Sequence, residues 1–192
     1  MEYQAKNFDH LLGLAGFSDT LLKNHFTLYQ GYVANTNKLA ARLQELREKN
    51  EMTTLEYAEL KRRFGWEFNG MRLHELYFSN MNKTPQAISG ALKEKIAASF
   101  GSYENWKNDF KATGALRGIG WTMLAWDKET DRLFNIWTNE HDVGHLAGAT
   151  PLLVLDVFEH AYMLDYGLKK VDYIAAFMNA ADWIVVKNRM PL

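Results

Sequence analysis

The chain has 192 residues, with 22 Lys and Arg against 23 Asp and Glu, so its net charge of −1 excludes nucleic acid and anionic membrane as partners held by bulk charge. A hydrophobic content of 47%, with 14% aromatic, is enough to fill a core and excludes a disordered chain. The absence of cysteine excludes disulfides, thiolate catalysis and cysteine-held zinc or iron–sulfur sites together.

The first hundred residues read as helical. Ser18 or Asp19 caps a helix with Leu21, His25, Leu28, Tyr29 and Tyr32 on one broad face, continuing through Leu39, Leu43 and Leu46 to Lys49. Thr53 or Thr54 caps a second helix carrying Leu60, Phe64, Phe68, Met71, His74 and Phe78, interrupted by Gly65 and Gly70. Two long helices on a short link predict an antiparallel hairpin. Pro85 is expected to start a third helix reaching Phe100, and Gly101-Ser102 breaks it before a short helix with Trp106 and Phe110. From Gly118 the pattern changes. Aromatic-rich runs at Trp121–Trp126 and Arg132–Trp137 flank the polar turn Asp127–Asp131 and predict a β-hairpin. A loop then leads to a third strand, Leu152–Asp156, followed by amphipathic stretches at Val171–Asn179 and Ala181–Lys187. The expected class is α+β: an N-terminal antiparallel helical hairpin domain (1–82), then a half (83–192) with a three-stranded antiparallel sheet and flanking helices.

The chemistry concentrates in residues 151–166, PLLVLDVFEHAYMLDY. A short apolar run delivers Asp156 at the mouth of a buried strand, and His160 follows four positions later. An ionised carboxylate buried there is costly unless a cation or donors compensate it. A single helical histidine is ordinarily a packed or surface residue. His25 and His74 differ because each sits on an apolar, aromatic-flanked helix face. Imidazoles with one carboxylate form a ligand set suited to a first-row transition metal.

Four segments, in order, resemble the iron/manganese superoxide dismutase family over nearly the whole chain. DVFEHAY from Asp156 is similar to the family's D-x-W-E-H-A-Y, and GIGWTMLAW from Gly118 resembles its G-S-G-W strand. FNGMRLHELYF from Phe68 places the family's second-helix histidine on His74, and HFTLYQGYV from His25 resembles the first-helix ligand with its Tyr-Val pair. The resemblance implies His25, His74, Asp156 and His160 as ligands of one iron or manganese ion per subunit, held between the two halves. The family's tyrosine usually stands eight residues after the first ligand, whereas Tyr32 is seven after His25. An ungapped match would put Asn24 at that position. Loss of a one-residue π-bulge explains the gap and keeps His25.

The resemblance also implies Tyr32 as the gateway tyrosine and His141 as the donor to metal-bound solvent, in place of the family's glutamine; Gly70 occupies the alternative glutamine position. A competing reading pairs His141 with His145 at a separate metal site. Trp121 and Phe158 are expected to wall the pocket. Tyr29 replaces the usual gateway histidine and Met163 the tyrosine that reaches it across the dimer, a compensated change in the access channel. Glu159 is expected to bridge to the ligand histidine of a second subunit, giving a homodimer with a tetramer as the larger option. Lys169 or Lys170 falls near a basic position by the family's substrate funnel. The implied activity is disproportionation of superoxide to dioxygen and hydrogen peroxide by a redox-cycling ion, with a slight lean to iron or use of both metals. The alternative is a non-catalytic metal-binding protein on the same fold, while a di-metal carboxylate oxidase is disfavoured by the lack of Glu-x-x-His. With no basic region leading into an apolar stretch at the start and no run of membrane-spanning length, a cytoplasmic protein is expected.

Overall fold

The computed structural model describes residues 2–190. Helix α1 (Asp19–Glu48) begins at Ser18, whose hydroxyl accepts the Leu21 N–H, and ends where Asn50 takes a positive φ of 59°. Helix α2 (Leu55–Ser79) begins the same way at Thr54, with Tyr57 as donor. Both run unbroken, so neither Gly65 nor Gly70 interrupts α2. The two form the expected antiparallel hairpin, tied near its tip by Arg42, which binds both Glu45 and Glu56.

Helix α3 spans Gly90–Phe100, not the stretch from Pro85 onward. Residues 82–86 are instead pinned against the later chain. Asn82 N–H bonds Ala180 O, Trp183 N–H bonds Gln86 O, and the Asp182 carboxylate accepts from Gln86 N–H and Asn82 Nδ2. These bonds hold the segment non-helical, and tertiary pairing overrides the favourable first-turn position of Pro85. Helix α4 (Tyr103–Gly114) follows, capped by Ser102.

The sheet has the order β2-β1-β3 and is antiparallel throughout. β1 (Gly120–Asp127) and β2 (Arg132–Asn139) pair Trp121 with Thr138 and Asp127 with Arg132, closing the predicted hairpin. β3 (Thr150–Asp156) starts two residues earlier than expected; its register slips opposite Leu124/Ala125, beside Pro151, which has no N–H for the ladder. Gly120 needs to be glycine: its φ is +138°, and a Cβ there would lie 1.9 Å from Thr138 O. β1 is almost wholly buried, covered by α4 and α2 around Trp106, Tyr77 and Phe110. After β3 the chain makes a 3₁₀ turn (Glu159–Ala161), then α5 (Met163–Tyr166), α6 (Lys170–Ala180) and α7 (Trp183–Asn188). Among the described residues no helix is long and apolar enough to cross a membrane.

Candidate metal centre

Four side chains from four separate elements meet in the interior. His25 projects from the second turn of α1 and His74 from the last third of α2; Asp156 ends β3 and His160 lies in the following 3₁₀ turn. One potential ligand atom from each falls within 4.8 Å of all the others. The convergence is on a single oxygen: His25 Nε2, His160 Nε2 and His74 Nε2 lie 3.1, 3.2 and 3.5 Å from Asp156 Oδ2. Asp156 Oδ1 accepts the Phe158 N–H at 2.9 Å, which orients the carboxylate. Three of the four side chains are essentially inaccessible to solvent, and His160 is partly open.

His74 tests whether a cation fits. Its Nδ1 lies 2.6 Å from the Gly70 carbonyl, which can only accept, so the proton sits on Nδ1 and Nε2 carries a lone pair. That buried Nε2 has no hydrogen-bond partner and faces a carboxylate oxygen. Burial pushes the His74 pKa well below 6.5, so a second proton is not the remedy. A metal ion between lone pair and carboxylate would satisfy both. An ion with bonds of about 2.1 Å separates neighbouring ligand atoms by roughly 3.0–3.6 Å, the spacing found here. Burial alone would raise the Asp156 pKa, but attraction to His160 and hydrogen bonds from His160 and His25 outweigh it and hold the carboxyl far below its usual range. His160 shows the counterpart: burial works to lower it, and Asp156 raises it overall.

Around this cluster Tyr32 and His141 form a hydrogen-bonded pair, His141 Nε2 to Tyr32 Oη at 2.8 Å. Trp121 Nε1, which can only donate, bonds His141 Nδ1 at 3.0 Å. Burial lowers the His141 pKa to about 4. His141 is therefore a neutral imidazole with its proton on Nε2, pointed at the tyrosine oxygen. The Tyr32 ring stacks on His74 at 5.1 Å, and Phe158 stacks on both His141 (4.9 Å) and His160 (5.2 Å). Trp121 meets His74 edge-on at 5.0 Å. Tyr29 packs near His74 at 6.4 Å, but its hydroxyl turns away, accepting the Lys6 N–H and donating to Glu75. His141 and His145 do not form a second ligand pair, because both His141 nitrogens are engaged and His145 Nε2 donates to the His141 carbonyl. Asn24 faces solvent, while α1 is regular through His25 with no π-turn.

The family model for iron/manganese superoxide dismutases, C-terminal domain, matches residues 88–189. The chain belongs to the iron/manganese superoxide dismutase family. Its relatives carry both metals in their names. It is 39% identical over 161 residues to superoxide dismutase [Mn] 2 of Haloferax volcanii, covering 83% of this chain and 79% of that one. It is 38% identical over 173 residues to superoxide dismutase [Fe] of Cupriavidus metallidurans, covering 88% and 86%. It is 36% identical over 189 residues to superoxide dismutase [Fe] of Aquifex pyrophilus, covering 94% and 88%.

Two residues of this superoxide dismutase pocket escaped the sequence reading. The Trp66 ring lies 4.5 Å from His141 and 5.5 Å from Tyr32, with its N–H donated to Glu140. The Arg63 guanidinium lies over the same indole, 3.7 Å from the ring centroid, and pairs with Glu67. The available signal was helical spacing: Trp66, Gly70, His74 and Phe78 recur every fourth residue on α2, one face from pocket wall to ligand.

Proposed function

We propose that His25, His74, Asp156 and His160 are the ligands of one iron or manganese ion at which this chain dismutates superoxide. By its family the chain is an enzyme, a superoxide dismutase using iron or manganese. The observation that carries the ligand reading is the buried, unpartnered His74 Nε2 aimed at Asp156 Oδ2.

Held by these four residues, the ion would supply the one-electron exchange that dismutation of superoxide to dioxygen and hydrogen peroxide needs. The residues do the rest. Asp156 brings the one negative charge to a set of neutral imidazoles, which favours the oxidised ion. Gly70 O and Phe158 N–H orient His74 and Asp156. Tyr32 keeps its proton, since burial first and the Asp156 charge second push its pKa above the ordinary phenol range. His141 Nε2–H and the Tyr32 hydroxyl thus make a pair able to hold and pass protons at the pocket's edge, with Trp121 fixing the imidazole's tautomer. The aromatic wall keeps the site dry and its electrostatics strong.

The native metal is read as iron, with activity on both metals as the cambialistic variant of the same reading. The Gly70 and His141 combination carries this slight lean to iron, while the relatives are named for either metal. The working unit is read as a homodimer. Glu159 is exposed beside His160, and no group among the described residues bonds His160 Nδ1. A ligand imidazole normally donates its second nitrogen to a carboxylate or similar acceptor. Exchange of Glu159 carboxylates across a two-fold axis fills both vacancies at once. Met163, Leu164 and Leu168 beside it are exposed, a further reason to bury this surface.

Stripping the metal and reloading separately with iron and with manganese tests the activity. Activity with either establishes the ion; stoichiometric loading without activity returns the alternative, a non-catalytic metal protein on this fold.

A further inference from the structure

A second cavity, of about 680 Å³, opens between the N-terminal segment, α2, the start of β3 and α7, and shares no residue with the metal centre. Its charged lining is Lys6, Arg72 and Arg189 against the single carboxylate Glu75, a balance of +2 in a chain whose net charge is −1. Glu75 has nothing left to offer: Oε1 accepts from the Tyr29 hydroxyl at 3.1 Å, and Oε2 takes Lys6 at 2.9 Å and Arg72 at 2.7 Å. Arg189 binds only neutral acceptors, namely Asn80 Oδ1, Leu152 O (2.7 Å) and Leu76 O (2.8 Å). Those bonds use three of its five N–H donors, and no carboxylate among the described residues pairs with it. Burial pushes its pKa down to about 10. The remaining walls are largely apolar, from Phe68, Leu76, Pro151 and Val185.

A guanidinium with spare donors and, among the described residues, no counter-charge, at the side of an apolar groove, is complementary to an anion that carries a hydrocarbon body. We propose that this cavity is a binding site for small aliphatic carboxylates, the head placed among Arg189, Arg72 and Lys6 and the chain against Phe68 and Val185. The site is independent of the dismutation chemistry, so its failure would leave that reading untouched.

Calorimetric titration of the metal-loaded enzyme with octanoate tests it, with 1-octanol as the uncharged body and acetate as the head alone. The expected result is saturable one-to-one binding of octanoate, with both controls at least about tenfold weaker. Arg72→Gln removes a cation from the partly exposed rim and Val185→Trp fills the groove; each is expected to weaken octanoate about tenfold or more while dismutation is unchanged. Absence of saturation, equal binding of octanol, or unaltered octanoate affinity in both folded variants would overturn the proposal.

Discussion

The Tyr32 ring occupies the space that any side chain at residue 70 would need. A Cβ built on Gly70 would lie 2.5 Å from Tyr32 Cδ1 and 2.7 Å from Cε1. The same ring stacks on His74 and holds the hydrogen bond to His141. The missing side chain on α2 and the proton-bearing pair on the far wall are thus one arrangement, in which a glutamine reaching in from α2 has no room.

Gly70→Ala is therefore expected to destabilise the protein, although alanine is ordinarily the better helix former by about 1 kcal/mol. The clash is with the body of a packed ring, and overpacking of this kind costs about 1–3 kcal/mol. Thermal unfolding should shift down by several degrees, and activity per bound metal should fall with the displaced tyrosine. An unchanged or raised Tm would refute the close contact.

Asp156→Ala leaves three imidazoles without their shared oxygen. Metal affinity should fall by more than the roughly 10- to 100-fold typical of losing an outer hydrogen-bond partner. Metal content measured after dialysis against a chelator reads this directly, and full retention of metal and activity would sink the ligand assignment.

His141→Ala removes the partner of Tyr32 but no proposed ligand. Metal content should be kept, while activity per metal falls by about 10- to 100-fold and the metal's reduction potential moves. Trp121→Phe should produce part of the same effect, because it frees the His141 tautomer without touching the ion. If both variants match the wild type in potential and turnover, the hydrogen-bonded chain has no role in the reaction.

Glu75 predicts an acid-sensitive contribution to stability. Burial works to raise its pKa, but Lys6 and Arg72 hold it below the ordinary 4.5. A carboxylate with a depressed folded-state pKa stabilises fully above the unfolded value and loses that contribution as pH falls through the folded one. Wild-type Tm should exceed that of Glu75→Gln at neutral pH, and the gap should close progressively below about pH 4.5. A gap independent of pH would contradict the ion-pair account.

Glu159→Ala should weaken association, read as a lower mass by light scattering in the micromolar range. A wild-type monomer at that concentration would remove the proposed bridge altogether.

Much of this architecture was legible in the chain itself. Local signals decide local structure: Ser18 or Asp19 and Thr53 or Thr54 marked helix starts, the aromatic runs around Asp127–Asp131 marked a hairpin, and the DVFEHAY segment marked the carboxylate and its neighbouring imidazole. The tertiary structure alone decided what depends on distant partners. Pro85 looked like a helix start, yet hydrogen bonds to residues 180–183, nearly a hundred positions away, keep its segment non-helical. Spacing left Asn24 and His25 as rivals; the rotation of a regular α1 against α2 turned one to solvent and the other onto Asp156. Trp66 gave no sign beyond its place on a helical face, because its role depends on His141, seventy-five residues later and on another element. Sequence fixes which faces are apolar and which groups are available. The direction in which a polar atom points, and whether it finds a partner, is set only when separate elements pack, and His74 Nε2 shows the difference.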